Sequence, residues 1–420
     1  MPGSLGGRRA ADRDTIYLVA PSGHPNYGDE FIVRAWLRHL ARVRPDAEVI
    51  VDCHTPGQAA VLMAGAHPSV TFVDTLWRIC FETAELPPVD AVAAAAAVIG
   101  EPGRMPKLVC GVELLARADV VHVVGGGYIN AVWPHHLALL AAAAAGADRA
   151  GARLVATGQG LLPVGDEQRR ALLIAYAQRF ATFDVRDQAS YDVLAGIGDR
   201  LTQTGDDAWL GLGHSDVYDD ECEAARRRVV FCLQSDLMDD FAGGRGVDGL
   251  ADAASRLVES WGLDGADVAF VESIPGADRV VFDRISHLVP GAEFMPFSHL
   301  WRTGLPAVPG QIWVTTRFHH HLLAAARGVS GIALTGRADY YPVKHQTLAE
   351  HGSGWLLSDS DDLPNAPVTG GGFRPEKVAA MTREKTSLAA RIYPPPTSRR
   401  RVPELLRRRT GATRSATRGF

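Results

Sequence analysis

Along this chain, short apolar runs alternate with longer stretches in which apolar residues recur at helical spacing, and Gly, Pro and Asn stand at the joins. From Thr15 the runs are TIYLVA, AEVIVDC, DVVHVVGGG, RLVATGQG, ATFDVRD and LTQTGDDAWL. Between the first two, FIVRAWLRHLARV puts Val33, Trp36, Leu37, Leu40 and Val43 on one face, as a packing helix requires. Strands alternating with such helices predict βαβ units and a parallel sheet. Polar sequence from Gly213 to Arg228 interrupts the rhythm, and RVVFCLQS, DVAFVES, AEFMPF, QIWVTTR and GIALTG open a second series. KVAAMTREKTSLAARI reads as a closing helix.

The expected fold class is therefore α/β, with two doubly wound Rossmann-like domains facing a cleft, at residues 14–215 and 226–392, and a basic, disordered tail at 393–420. A length of 420 residues with 46% hydrophobic content is enough for two cores. The alanine-rich runs Ala91–Val98 and Leu137–Ala145 fall short of the ~20 apolar residues a bilayer needs and read as buried helices. MPGSLGGRRAADRD lacks the apolar stretch of a signal peptide, and Cys53, Cys80, Cys110, Cys222 and Cys232 show no paired spacing. Cytoplasmic location, no disulfide framework and no metal are expected. A net charge of -5 excludes an overall basic field, so nucleic acid is not an expected partner.

Ligands of doubly wound sheets sit outside the carboxyl ends of the strands, so chemistry is sought there. In QIWVTTRFHHHLLAAARG a strand ends at Thr316 and a helix starts near Arg317, which places Arg317 and His319 where exposed amides and a guanidinium can grip an anion. An imidazole there can hand over a proton near neutral pH. Adjacent histidines on a helix point about 100° apart, which argues against a shared metal and leaves helix capping as the plain alternative. Lys344 follows the next strand and can supply a second positive contact or be a solvated loop lysine. Arg186, after ATFDV, is a candidate clamp on the opposite wall, or with Asp187 a helix cap.

GHPNYGDEF follows the first strand, and Asn26, Asp29 or Glu30 there can bind sugar hydroxyls or simply start a helix. Gly125, Gly126 and Gly127 permit close approach to a ligand without the spacing of a dinucleotide or phosphate-binding loop. Asp206 and Asp207 can polarise a hydroxyl or form a turn.

Together NYGDE, VVGGGYIN, TGQGLLP, VRDQAS, TGDDAW and TRFHHHLLAAARG followed by YYPVKH resemble the polysaccharide pyruvyl transferase family over nearly all of Thr15 to Gly352. The resemblance implies a glycosyltransferase-B-like fold, no nucleotide or metal cofactor, and phosphoenolpyruvate as donor substrate. It also implies ketal formation on two hydroxyls of a sugar, glycolipid or polysaccharide precursor. Carried over by position, His319 and Arg317 are catalytic, Arg186, Arg317 and Lys344 contact the donor, and Asn26, Asp29 and Glu30 of the N-terminal motif are assigned to the acceptor; Phe318 on the donor side and Gly126 and Gly127 on the acceptor side are added from their place in the sequence. Phe318, the extra histidines and the tail depart from the family pattern, and the tail's arginines can either touch the inner face of an anionic membrane or form a solvated disordered tail. Two other readings remain open here: an inverting glycosyltransferase using a nucleotide sugar, and a silent sugar- or phosphate-binding protein.

Overall fold

A computed structural model describes residues 14–337 and 341–394. Among these, the first series forms β1 (Thr15–Val19), β2 (Glu48–Asp52), β3 (Val70–Val73), β4 (Val120–Val123), β5 (Arg153–Gln159), β6 (Thr182–Val185) and β7 (Leu201–Gln203). They make a seven-stranded sheet in the order β3-β2-β1-β4-β5-β6-β7. The second series forms β8 (Val229–Cys232), β9 (Val268–Val271), β10 (Glu293–Met295), β11 (Ile312–Thr315), β12 (Ser330–Leu334) and β13 (Leu356–Ser358). Its order is β10-β9-β8-β11-β12-β13, and the ladders in both sheets are parallel. The expected pair of doubly wound domains is thus present.

Central strands such as β1 and β8 are buried at every position, which is why they read as unbroken apolar runs. The edge strands β3 and β13 went unread in the sequence for the opposite reason. Their residues are exposed or half-buried and the strands are only four and three residues long, so their apolar signal is short. The helix Leu137–Ala150 is buried along nearly its whole length, whereas Pro88–Gly100 buries only one face, with Ala91, Val92, Ala95, Val98 and Ile99. No helix among the described residues is long and apolar enough to cross a membrane.

The expected second domain, 226–392, needs correction at its end. The helix Pro375–Ile392 returns to the first sheet, where buried Lys385 donates to Asp184 at 2.8 Å and Asp207 at 2.9 Å. Beyond it, the hydroxyl of Tyr393 lies 2.9 Å from His122 Nδ1 on β4. A buried lysine is tolerated only when paired, and the carboxylates that pair it belong to the first domain. The tail from residue 395 lies outside the described residues.

The domains also share an apolar seam. The first-domain helix Tyr27–Val43 meets the second domain through Tyr27, whose ring centre is 5.3 Å from that of His320. Arg34 stands 3.8 Å above the Trp301 ring and donates to the Trp301 carbonyl at 3.3 Å. These contacts fix the spacing of the two walls of the cleft.

Candidate active site

The strand order reverses between β1 and β4 in one sheet and between β8 and β11 in the other. Side chains following these strands converge on a cleft of about 310 Å³. On the second-domain wall, β11 ends with Thr315, whose hydroxyl accepts from the Arg317 amide at 3.0 Å and sets the entry to the helix Phe318–Ala326. The three histidines of that helix have separate fates. His319 points into the cleft, and His320 is buried between Tyr27 and Trp313. His321 bonds His345 at 3.0 Å and Ser353 at 2.9 Å. Burial pushes His320 and His345 down to about 3, so both are neutral packing groups.

His319 crosses to the first domain. A Cβ built on Gly28 would come within 1.8 Å of its Nδ1, so the ring rests where only glycine leaves room. Its Nε2 is 3.4 Å from Oδ1 of Asp206, in the turn after β7. Arg317 also lines the cleft, but its guanidinium is engaged otherwise than expected. Nε lies 3.1 Å from both oxygens of buried Asp278, Nη2 also contacts Asp278, and Nη2 reaches Asp236 at 3.0 Å. The fork expected to grip a substrate anion is drawn toward two carboxylates of its own domain, Asp278 and Asp236, which ties Arg317 to the loops after β8 and β9.

The first-domain wall carries the remaining charge. Arg186 follows β6, contacts Asp206 at 3.3 Å and lies with its guanidinium 4.7 Å from the Phe318 ring centre, a cation–π contact across the cleft. Phe318 is therefore a backing for Arg186. Gly127 is where the cations meet: a Cβ there would stand 2.8 Å from Arg186 Nη2 and 3.0 Å from Lys344 Nζ. Burial, and then the neighbouring Arg186, push Lys344 well below the usual lysine range, against the pull of Asp29 and Asp206. An anion placed between Arg186 and the Lys344 amine would offset that burial and favour the charged lysine.

Asn26 and Asp29 line the cleft and bond each other at 2.8 Å. Burial raises the Asp29 carboxyl, while His319 and Lys344 oppose the rise. Glu30, expected beside them, turns inward instead. It accepts from the Ser22 hydroxyl at 2.5 Å and the Gly23 amide at 2.7 Å, and burial pushes it up to about 7, so it fastens the loop after β1. Gly126 is likewise structural, with a φ of +154° and backbone bonds to Gly158 and Gly160.

The sequence reading missed Asp278 and Asp236, which hold Arg317, and a group of rings in the same cleft: His24, His54, Tyr128, Trp133 and His136. Neither followed from motif spacing, since both come from loops far apart in the chain. Among the described residues, Cys80, His135 and His136 place possible ligand atoms within 4.8 Å of one another. Local bonds already engage two of them: the Cys80 thiol donates to the His135 carbonyl at 3.3 Å and His136 Nδ1 faces the Tyr128 carbonyl at 2.9 Å.

A family model described as polysaccharide pyruvyl transferase matches residues 26–242, just over half of the chain. The chain belongs to the polysaccharide pyruvyl transferase family. The matched stretch of this pyruvyl transferase homologue holds Asn26, Gly28, Asp29, Gly127, Arg186 and Asp206 and ends before Arg317, His319 and Lys344. No curated protein sequence matches the chain. Among solved structures it is similar to a putative UDP-N-acetylglucosamine 2-epimerase from Listeria monocytogenes, with a TM-score of 0.51 at 12% identity, covering 90% of this chain and 88% of that one. A second UDP-N-acetylglucosamine 2-epimerase gives 0.51 at 12% identity over 90% and 95% of the two chains. At these identities the likeness is one of fold, a glycosyltransferase-B-type pair of parallel sheets.

Proposed function

We propose that this enzyme transfers the pyruvyl group of phosphoenolpyruvate to two hydroxyls of one sugar, forming a pyruvate ketal and releasing phosphate. The observation that carries the reading is the meeting of Arg186 and Lys344 at Gly127, with His319 held across the cleft beside Asp206. Phosphoenolpyruvate presents a phosphate and a carboxylate, and two crowded cations at a glycine suit such a donor.

In the proposed sequence, protonated His319 gives its proton to the donor methylene and C2 becomes oxocarbenium-like. The first sugar hydroxyl adds to C2 and gives up its proton, for which Asp29 stands ready. Phosphate then leaves with the bridging oxygen, and the second hydroxyl closes the ketal. One hydroxyl proton balances the new methyl group and the other leaves with phosphate. No metal or nucleotide takes part. Arg317 acts through position, holding the loop that aims His319.

The proposed acceptor is a sugar, glycolipid or polysaccharide precursor of the cell envelope, met in the cytoplasm. The arginine-rich segment 393–420 is the proposed contact with the inner face of the membrane. The deciding measurement is the melting midpoint of the chain with phosphoenolpyruvate against nucleotides and nucleotide sugars, because a ligand of the native state raises it. Phosphoenolpyruvate is expected to raise it and the nucleotides are not. The reverse would replace this reading with nucleotide-sugar glycosyl transfer.

A further inference from the structure

The cleft divides by chemistry. Around Gly127 it is cationic; beginning at the next residue, Tyr128, it is lined by neutral rings. The Trp77 ring ties these together from behind, with centre distances of 3.9 Å to His54, 5.6 Å to Tyr128 and 5.1 Å to His136. Trp133, half-buried on the cleft wall, lies nearly parallel to His136, at 15° and 6.0 Å.

We infer that this ring-lined part of the cleft, built on Trp133, His136 and His54, is the subsite for a neutral sugar ring of the acceptor. The inference rests on the pyruvyl-transfer reading for the word acceptor, and on the cleft itself for the word sugar. A sugar offers a face of C–H groups and an edge of hydroxyls, which a tryptophan face and uncharged hydrogen-bonding groups match. The imidazoles are uncharged because burial lowers His54 to about 4 and His136 to about 3. The Tyr128 carbonyl accepts from Nδ1–H of neutral His136, which leaves Nε2 to accept from a hydroxyl. His54 Nε2 is buried without a hydrogen-bond partner, an arrangement that costs stability unless something else satisfies it. The junction at Gly127 and Tyr128 would bring hydroxyls of a ring held here next to the cationic group, where the donor is proposed to sit.

The test is saturation-transfer NMR on the full chain with a mixture of methyl glycosides of glucose, galactose, mannose and N-acetylglucosamine. Ring C–H signals of at least one glycoside are expected to receive saturation. Trp133→Ala is expected to weaken that affinity by about tenfold and Trp133→Phe to keep most of it. No saturation with the parent chain, or an unchanged signal in Trp133→Ala, overturns the subsite. The donor is read separately by the phosphoenolpyruvate-induced rise in melting midpoint, which Trp133→Ala is expected to keep. Loss of both responses in both variants also overturns the subsite, since Trp133 would then be a packing residue. Glycoside binding without any phosphoenolpyruvate response in the parent would remove the donor reading and leave the sugar subsite standing.

Discussion

Nε2 of His319, on the second domain, stands 3.4 Å from Oδ1 of Asp206, on the first. The acid proposed for the reaction is therefore assembled only when both domains are in place. Burial alone would raise the Asp206 carboxyl, but the charge of His319, and after it Arg186, outweighs burial and holds the group well below the usual carboxylate range. Asp206 thus stays ionised beside the His319 ring. His319→Ala is expected to lower kcat by about 10²–10⁴-fold, and Asp206→Asn by a smaller factor, with little change in phosphoenolpyruvate affinity. Steady-state phosphate release decides it; parental turnover in His319→Ala would exclude the assignment.

Gly28 tests the same geometry from the other side. A methyl group there would overlap the His319 ring, whose Nδ1 would lie 1.8 Å away, so the imidazole must swing out of place. Gly28→Ala is expected to cut turnover about as much as a loss of general acid catalysis, ~10²-fold or more, while the melting midpoint moves by only a few degrees. A large fall in stability with kcat intact would show that Gly28 serves folding instead.

Arg186 separates charge from shape. Its guanidinium lies 4.7 Å from the Phe318 ring centre as well as 3.3 Å from Asp206. Lysine would keep the charge but lose the planar stack, so Arg186→Lys is expected to raise the KM for phosphoenolpyruvate about tenfold and Arg186→Ala further. Equal KM values in the lysine variant and the parent would count against a cation held by stacking.

Lys385 is the stability counterpart. It is fully buried and pairs with Asp184 and Asp207, so Lys385→Met leaves two buried carboxylates without their cation. A loss of ~3–5 kcal/mol is expected in urea titration, with a midpoint shift shared by both domains because the helix joins them. A loss under ~1 kcal/mol would mean that the carboxylates find other partners.

Acidification is expected to destabilise the fold below pH 6.5. His122, His136, His320 and His345 are all lowered to about 3 by burial, so the unfolded chain binds their protons first as pH falls. Each contributes stability that is whole above the unfolded value of 6.5 and is lost as pH falls from there toward 3, by ~1.4 kcal/mol per pH unit. Glu30 and Asp52, both raised to about 7 by burial, have the opposite slope, losing stability as pH rises from the ordinary carboxyl range to 7. His39, His54 and His321 are lowered by burial as well, and Asp29 and Asp184 raised, so the histidines still outnumber the carboxyls and the melting midpoint is expected to fall between pH 6.5 and 5. A flat profile there would show that the histidines are not held neutral.

Read alone, the sequence determined the two parallel-sheet domains, because buried central strands must be apolar throughout and their partner helices must carry one apolar face. It also placed Arg186, Asp29, His319 and Lys344 after strands, where open α/β sheets expose functional groups. What only the tertiary structure decided was which side chains spend their polarity on the protein itself. Arg317 binds Asp278, Glu30 closes on Ser22 and Gly23, and Asp207 on Lys385, whereas His319 and Asp29 line the cleft and buried Asp206 stands behind His319. Adjacent residues at a turn point in different directions, and their partners lie far off in the chain. Local spacing can bring a charged group to the end of a strand; only the packing of both domains settles whether it meets a ligand or a buried counter-charge.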